Sequence, residues 1–256
     1  MSRIKKLFSE KKKDILNVYC TAGYPKLEST VEVLNALQKH GADMVEIGMP
    51  YSDPLADGPV IQASSSIALA NGMMIEKLFE QLKDCRNEFH LPLILMGYLN
   101  PVLQFGFEKF CNIAKELGID GIILPDLPIY EFENEYKKYF DENSLDFIFL
   151  ITPETSDERI RKIDAFSTGF IYAVSSSSTT GNNKEIDQQE NYFLRLQKMN
   201  LKNPVLVGFG IKDRATFLSA CKYSNGAIIG SAYIKALQNA TDIQADTQKF
   251  LAKILH

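Results

Sequence analysis

Eight short β-rich apolar runs recur along the chain, most followed by a longer stretch with apolar residues at helical spacing. They are DILNVYCT near Ile15, DMVEIG near Met44, LPLILMGY near Leu93, GIILPD near Ile122, DFIFLIT near Phe147, GFIYAVS near Phe170, NPVLVGFG near Val205 and GAIIGS near Ile228. Strand-then-helix alternation of this kind predicts parallel strands covered by helices. Eight such units in 256 residues fit an α/β chain folded as one (β/α)8 barrel over residues 1–256, with extra helical segments. A doubly wound open sheet shares this periodicity and remains an alternative. Even unit spacing, with no linker or composition shift, favours the barrel. The stretch GPVIQASSSIALANG, after the second run, reads as a helical insertion on a barrel loop.

Composition narrows the functional classes. The chain is 45% hydrophobic and 23% charged, as ordinary globular domains are, with a formal charge of −4. It has no general attraction for nucleic acid or an anionic membrane, so anionic small molecules must be caught by local features. No apolar run reaches the ~18 residues of a membrane span, and the N-terminal MSRIKKLFSEKKKD lacks a signal peptide's apolar centre. Its run Lys11, Lys12 and Lys13 reads as a solvated helix face. Cys20, Cys85, Cys111 and Cys221 form no CxxC pair, which suggests a reduced, cytoplasmic protein with no zinc site.

Barrel chemistry sits at the C-terminal ends of strands and in the loops that follow. In Asp43-Met44-Val45-Glu46-Ile47-Gly48, alternation separates Val45 and Ile47 from Met44, Glu46 and Gly48. If the β-branched pair lies under the helices, Glu46 points into the barrel. A buried unpaired carboxylate there is a general acid or base; a salt-bridged structural glutamate is the other reading. The next loop, MPYSDPLADGPV, holds Asp53 and Asp57 among three prolines. Each aspartate alone is ordinary turn chemistry, but a stiff loop could hold Asp57 over the barrel mouth opposite Glu46. Two carboxylates in unlike surroundings can divide roles, one moving protons and one staying charged.

The last three strands suggest an anion site. Gly208-Phe209-Gly210-Ile211 ends the seventh run, and Gly230-Ser231 ends the eighth where a helix begins. Backbone N–H groups and a helix N-terminus there favour phosphate. The small polar loop 175–181 reads as either a lid or a slack linker. His40, His90 and His256 lie away from strand tops, and no run carries an inward lysine. A histidine metal site, a Ser-His-Asp triad and Schiff-base catalysis are therefore disfavoured. Tyr172 could face a ligand, although a lone strand tyrosine is more often core.

The segment VEIGMPYSDPLADGPVIQ, residues 45–62, resembles the signature of the tryptophan synthase α-subunit family. MGYLNP (96–101), LPDLP (124–128), GFGI (208–211), GSA (230–232) and YCTAGYP (19–25) extend the likeness over nearly the whole chain, in order. The resemblance implies a (β/α)8 TIM barrel and a lyase that cleaves indole-3-glycerol phosphate into indole and glyceraldehyde 3-phosphate by retro-aldol chemistry. By motif, Glu46 would be the acid/base and Asp57 would hold the indole N–H. Tyr19, Tyr172 and Phe209 would line the substrate pocket, and Gly181, Gly210, Gly230 and Ser231 would receive the phosphate.

The resemblance also implies a β subunit, in an α2β2 heterotetramer, that carries pyridoxal phosphate, so this chain needs no cofactor of its own. Asp53, Pro54 and Asp126 would face that partner. A stand-alone lyase releasing free indole is the alternative. One departure lies in the loop after the sixth strand, where Ser175, Ser176, Ser177 and Ser178 precede the retained Thr180 and Gly181.

Overall fold

The computed structural model describes residues 2–174, 183–208 and 210–256, with side chains of 183–189 outside the description. The strands are β1 (Ile15–Thr21), β2 (Met44–Gly48), β3 (Leu93–Met96), β4 (Gly121–Ile123), β5 (Asp146–Phe147), β6 (Leu150–Ile151), β7 (Ile171–Val174), β8 (Val205–Gly208) and β9 (Gly226–Ile229). Neighbours pair in parallel in the order β5-β4-β3-β2-β1-β9-β8-β7-β6.

The two ends of that order are halves of one strand. β5 and β6 are separated only by Ile148 and Phe149. Across this gap Ile148 N–H donates to the Ile122 carbonyl at 3.1 Å, and Phe149 accepts from Tyr172 N–H at 3.0 Å. The run 146–151 therefore bonds to β4 on one side and to β7 on the other. That makes eight staves and a closed ring, as expected of DFIFLIT, and it rules out the open doubly wound sheet.

Closure sorts the side chains into two shells by strand parity. Ile15, Met44, Ile94, Ile123, Ile148, Phe170, Tyr172, Leu206 and Ile228 form an inner cluster. Leu16, Val18, Val45, Ile47, Leu93, Leu95 and Ile122 join the outer core under the helices. The GPVIQASSSIALANG insertion forms the helix Pro59–Ala70, with Pro at its first turn and Ile61, Ser64 and Ala68 buried. A further helix, Ile75–Leu82, precedes β3. All four cysteines are unpaired and buried.

The lysine-rich N-terminus departs from expectation. The helix runs Arg3–Glu10 and ends before Lys11, so Lys11–Lys13 are no helix face. Lys11 instead pairs with Asp43 at 2.6 Å. The helix closes the N-terminal end of the barrel: Ile4 is fully buried in the inner cluster, with Leu7 and Phe8 packed against it. Ser2 Oγ accepts from Lys5 N–H, capping the helix, and donates to Asp146 at 2.6 Å.

Asp120, just before β4, takes Arg3 at 3.1 Å and Arg86 at 2.7 Å, and accepts from Leu93 N–H at 3.0 Å. Arg86 also donates to the carbonyls of Gly118, Phe89 and Leu91. Truncating one side of a buried ion pair strands the other charge, typically at about 3 kcal/mol. Arg86→Ala is thus expected to lower unfolding free energy by about 3 kcal/mol in urea titration, with KM unchanged because the pair lies at the opposite end from the mouth.

Candidate active site

Glu46 is the innermost charged group of the barrel mouth. Met44, on the same strand face, sits in the inner cluster, whereas Val45 and Ile47 pack outward, so parity directs Glu46 inward. It is fully buried and has no ion-pair partner among the described residues. One oxygen, Oε1, accepts from Asn17 Nδ2 at 2.5 Å, and Oε2 is buried without a partner. Burial pushes the carboxyl from an ordinary value of 4.5 up to about 8, against the opposing pull of the Asn17 bond. At neutral pH this group is mostly protonated, and no described cation salt-bridges it.

Asp57 reaches the same space from the loop after β2. Burial raises it from 3.8 to about 6, opposed by a hydrogen bond from the Tyr98 hydroxyl. That hydroxyl also accepts from Ala56 N–H at 3.0 Å, which ties the loop to Tyr98 at the end of the third unit. The Tyr51 ring lies 5.3 Å from that of Tyr98 and supports it. At pH 7 Asp57 is mostly ionised while Glu46 is mostly neutral. The two carboxylates therefore hold unlike charge states in one site.

Tyr19 and Tyr172 complete the inner wall. Tyr19 stands opposite Glu46 in the β1–β2 register. Both phenols are held above their ordinary range by burial first, then by Asp57 for Tyr19 and by Glu46 for Tyr172, so both stay neutral donors. Space for the rings comes from two glycines. A Cβ on Gly48 would lie 1.8 Å from the Tyr19 hydroxyl, and one on Gly208 would lie 2.2 Å from the Tyr172 hydroxyl.

The anion-binding expectations fall nearby in part. Gly230 precedes the helix Ser231–Leu237, and a Cβ there would sit 3.5 Å from Tyr19 Cβ, so this corner adjoins the carboxylate site. Gly210 adopts φ +74 with open space around it. Ser231 is exposed at the start of its helix. Phe209 and Gly181 lie outside the described residues, as does the serine-rich run 175–178.

Asp53 and Pro54 stay apart from this centre, on the outer tip of the second loop, where Leu55 is 94% exposed. Asp126 is also exposed, and its carboxylate accepts from Leu99 N–H at 2.9 and 3.0 Å. Three loops are therefore linked, through Asp57–Tyr98 and Leu99–Asp126. Two surface cavities, of about 580 Å³ beside Phe107 and Tyr139 and about 370 Å³ beside Phe8 and Lys202, contain none of these groups. Among the described residues no cluster of His, Cys, Asp or Glu is placed to hold a metal ion. Nor is any described helix long and apolar enough to cross a membrane.

Sequence reasoning missed two residues of the site, Asn17 and Tyr98. Asn17 carried a signal, as a polar residue on the inward parity of an otherwise apolar strand start. Tyr98 lay within the MGYLNP segment that carries the family likeness, but its role depends on how two loops meet.

Comparison with known proteins agrees with this geometry. The family model described as tryptophan synthase alpha chain matches residues 5–255. A tryptophan synthase alpha chain of Flavobacterium psychrophilum is 55% identical over 238 residues, covering 93% of this chain and 94% of that one. Another, of Phocaeicola vulgatus, is 50% identical over 256 residues, covering 100% and 98%. The crystal structure of tryptophan synthase subunit alpha from Legionella pneumophila superposes with TM-score 0.88 at 34% identity, covering 99% of this chain and 97% of that one. A closed eight-stave barrel, a buried glutamate at its mouth and matches of this extent lead to one conclusion: the chain belongs to the tryptophan synthase alpha chain family.

Proposed function

We infer that the chain cleaves indole-3-glycerol phosphate into indole and glyceraldehyde 3-phosphate, as the α subunit of tryptophan synthase in tryptophan biosynthesis. The observation that carries this reading is Glu46, buried and largely protonated, with Oε1 tied and Oε2 free. A neutral carboxylic acid at neutral pH can protonate the indole ring at C3, and ionised Asp57 stabilises the positive charge that then grows at the ring N–H. The Glu46 carboxylate next takes the proton of the glycerol hydroxyl beside the ring. The C–C bond breaks, its electrons return to the indole, and the carbonyl of glyceraldehyde 3-phosphate forms. Glu46 ends protonated, as it began, with the hydroxyl's proton in place of the one given to C3.

The tyrosine rings of Tyr19 and Tyr172 suit the flat apolar indole, with Phe209 as a third lining residue. Backbone N–H groups around Gly210, Gly230 and Ser231, with Gly181, would receive the phosphate. Asp53, Pro54 and Asp126 would face a β subunit in a cytoplasmic α2β2 assembly. Pyridoxal phosphate belongs to that partner in this reading, and the α chain works without a cofactor.

This division of labour predicts a bell-shaped pH dependence of kcat/KM. Activity rises as Asp57 loses its proton near 6 and falls as Glu46 loses its proton near 8. Tyr98→Phe removes the bond that favours ionised Asp57. It is expected to move the acidic limb upward and to lower kcat/KM about tenfold at pH 6.5, with the basic limb in place. Steady-state indole release from pH 5 to 9 checks both statements. A flat profile in the wild type, or a Tyr98→Phe profile that superposes on it, contradicts them.

A further inference from the structure

We propose that Asn17 is a positioning residue for the reaction: its amide holds Oε1 of Glu46 so that Oε2 alone gives and takes the proton. This inference rests on the lyase reading and adds to it a residue outside the loop signature of residues 45–62.

The geometry is specific. Asn17 lies on β1 with its side chain on the inward parity of Ile15 and Tyr19, and it is fully buried. Its backbone partner across the ladder is Met44, two residues before Glu46, which sets the amide diagonally below the carboxyl. Nδ2 donates to Oε1 at 2.5 Å. Two polar atoms of this pair remain buried without a partner, Oδ1 of Asn17 and Oε2 of Glu46. A buried amide with an unmet carbonyl is costly as pure structure. Leucine would fill the same volume among Ile15, Met44 and the other inner residues without that cost.

An amide is suited to a carboxyl that changes protonation state during each turnover. It donates through Nδ2 to Oε1 in the carboxylate and in the acid alike, which leaves the exchanging proton on Oε2. The remaining titratable neighbours do not compete for this role. Tyr19 and Cys20 on β1 and Tyr172 on β7 are each raised by their own burial and stay neutral, and Asp57 acts on the two tyrosines. No cation contributes at Glu46 among the described residues.

The test uses three full-length chains: wild type, Asn17→Leu and Asn17→Asp. Leucine removes the donor, so the basic limb of kcat/KM is expected to rise by about one pH unit, with kcat at pH 7 down about tenfold and KM nearly unchanged. Aspartate places a second acid against Glu46, and the basic limb should rise further, because two carboxyls so close cannot both ionise. Thermal stability of Asn17→Leu should equal or exceed that of the wild type. A merely structural asparagine would instead lower stability and leave the limb in place.

The protonation of Glu46 is also read without turnover, from its carboxyl stretching band, assigned by its loss in Glu46→Gln and followed from pH 5 to 10. An unshifted band in both Asn17 variants overturns the positioning role, whether or not the chain releases indole. Absence of indole release by the wild type overturns the lyase reading, and it is scored separately on the same samples. Should Asn17→Leu not fold, the ordering of Asn17→Asp against wild type decides, and equal titrations overturn the proposal.

Discussion

Glu46→Gln is expected to lower indole release about a thousandfold at pH 7 while making the folded chain more stable. Both effects come from one cause. Glutamine keeps the shape and can still accept from Asn17 Nδ2, but it carries no proton to give. In the wild type the folded carboxyl titrates near 8 and the unfolded one near its ordinary 4.5. Between those values the native state binds more protons than the unfolded state, so stability falls as pH rises through that window and levels off above it. Glutamine has no such penalty. The variant should match the wild type near pH 4.5 and exceed it by about 4 kcal/mol at pH 8. Urea unfolding of both chains at these two pH values checks the sign. A wild type whose advantage or deficit does not change with pH would contradict the buried, protonated Glu46.

The second large effect is expected from one methyl group. In Gly48→Ala the new Cβ would stand 1.8 Å from the Tyr19 hydroxyl oxygen and 2.4 Å from the ring carbon that bears it. Small outward motion cannot relieve this, because β1 and β2 are locked in register at Tyr19 and Glu46. The ring must leave the wall of the site. Overpacking of this kind costs about 1–3 kcal/mol of stability, and a displaced wall beside the acid should lower kcat/KM about a hundredfold. Adding Tyr19→Leu vacates the space and should restore stability without restoring activity. If Gly48→Ala turns over within twofold of the wild type, Tyr19 does not line the substrate as proposed.

Much of the fold was legible in the sequence. Strand parity separated Glu46 from Val45 and Ile47, and placing the β-branched pair under the helices sent Glu46 inward; the two shells agree with that placement. The glycines ending β8 and following β9 were read for their backbone N–H groups; at Gly208 the structure adds a second reason, since a Cβ there would lie 2.2 Å from the Tyr172 hydroxyl. The N-terminal segment was misread because its lysines dominate the local pattern. Ile4, Leu7 and Phe8 at helical spacing mattered more, as they plug the barrel floor, and Lys11 found Asp43. Tyr98 was present in the MGYLNP segment, but a hydroxyl that spans two loops leaves no trace of its role in spacing. Asn17 was visible as an oddity in an apolar strand, but its meaning required the 2.5 Å contact with Glu46.

The most direct test of the account is indole release from indole-3-glycerol phosphate by the purified chain, with Glu46→Gln beside it, each with and without a tryptophan synthase β subunit. The account predicts slow release by the wild type alone, faster release with the partner, and a loss of about a thousandfold in the variant under both conditions. Release unchanged by the β subunit would favour a stand-alone lyase. No release by the wild type in either condition, or full release by Glu46→Gln, would contradict the central claim that Glu46 drives the cleavage.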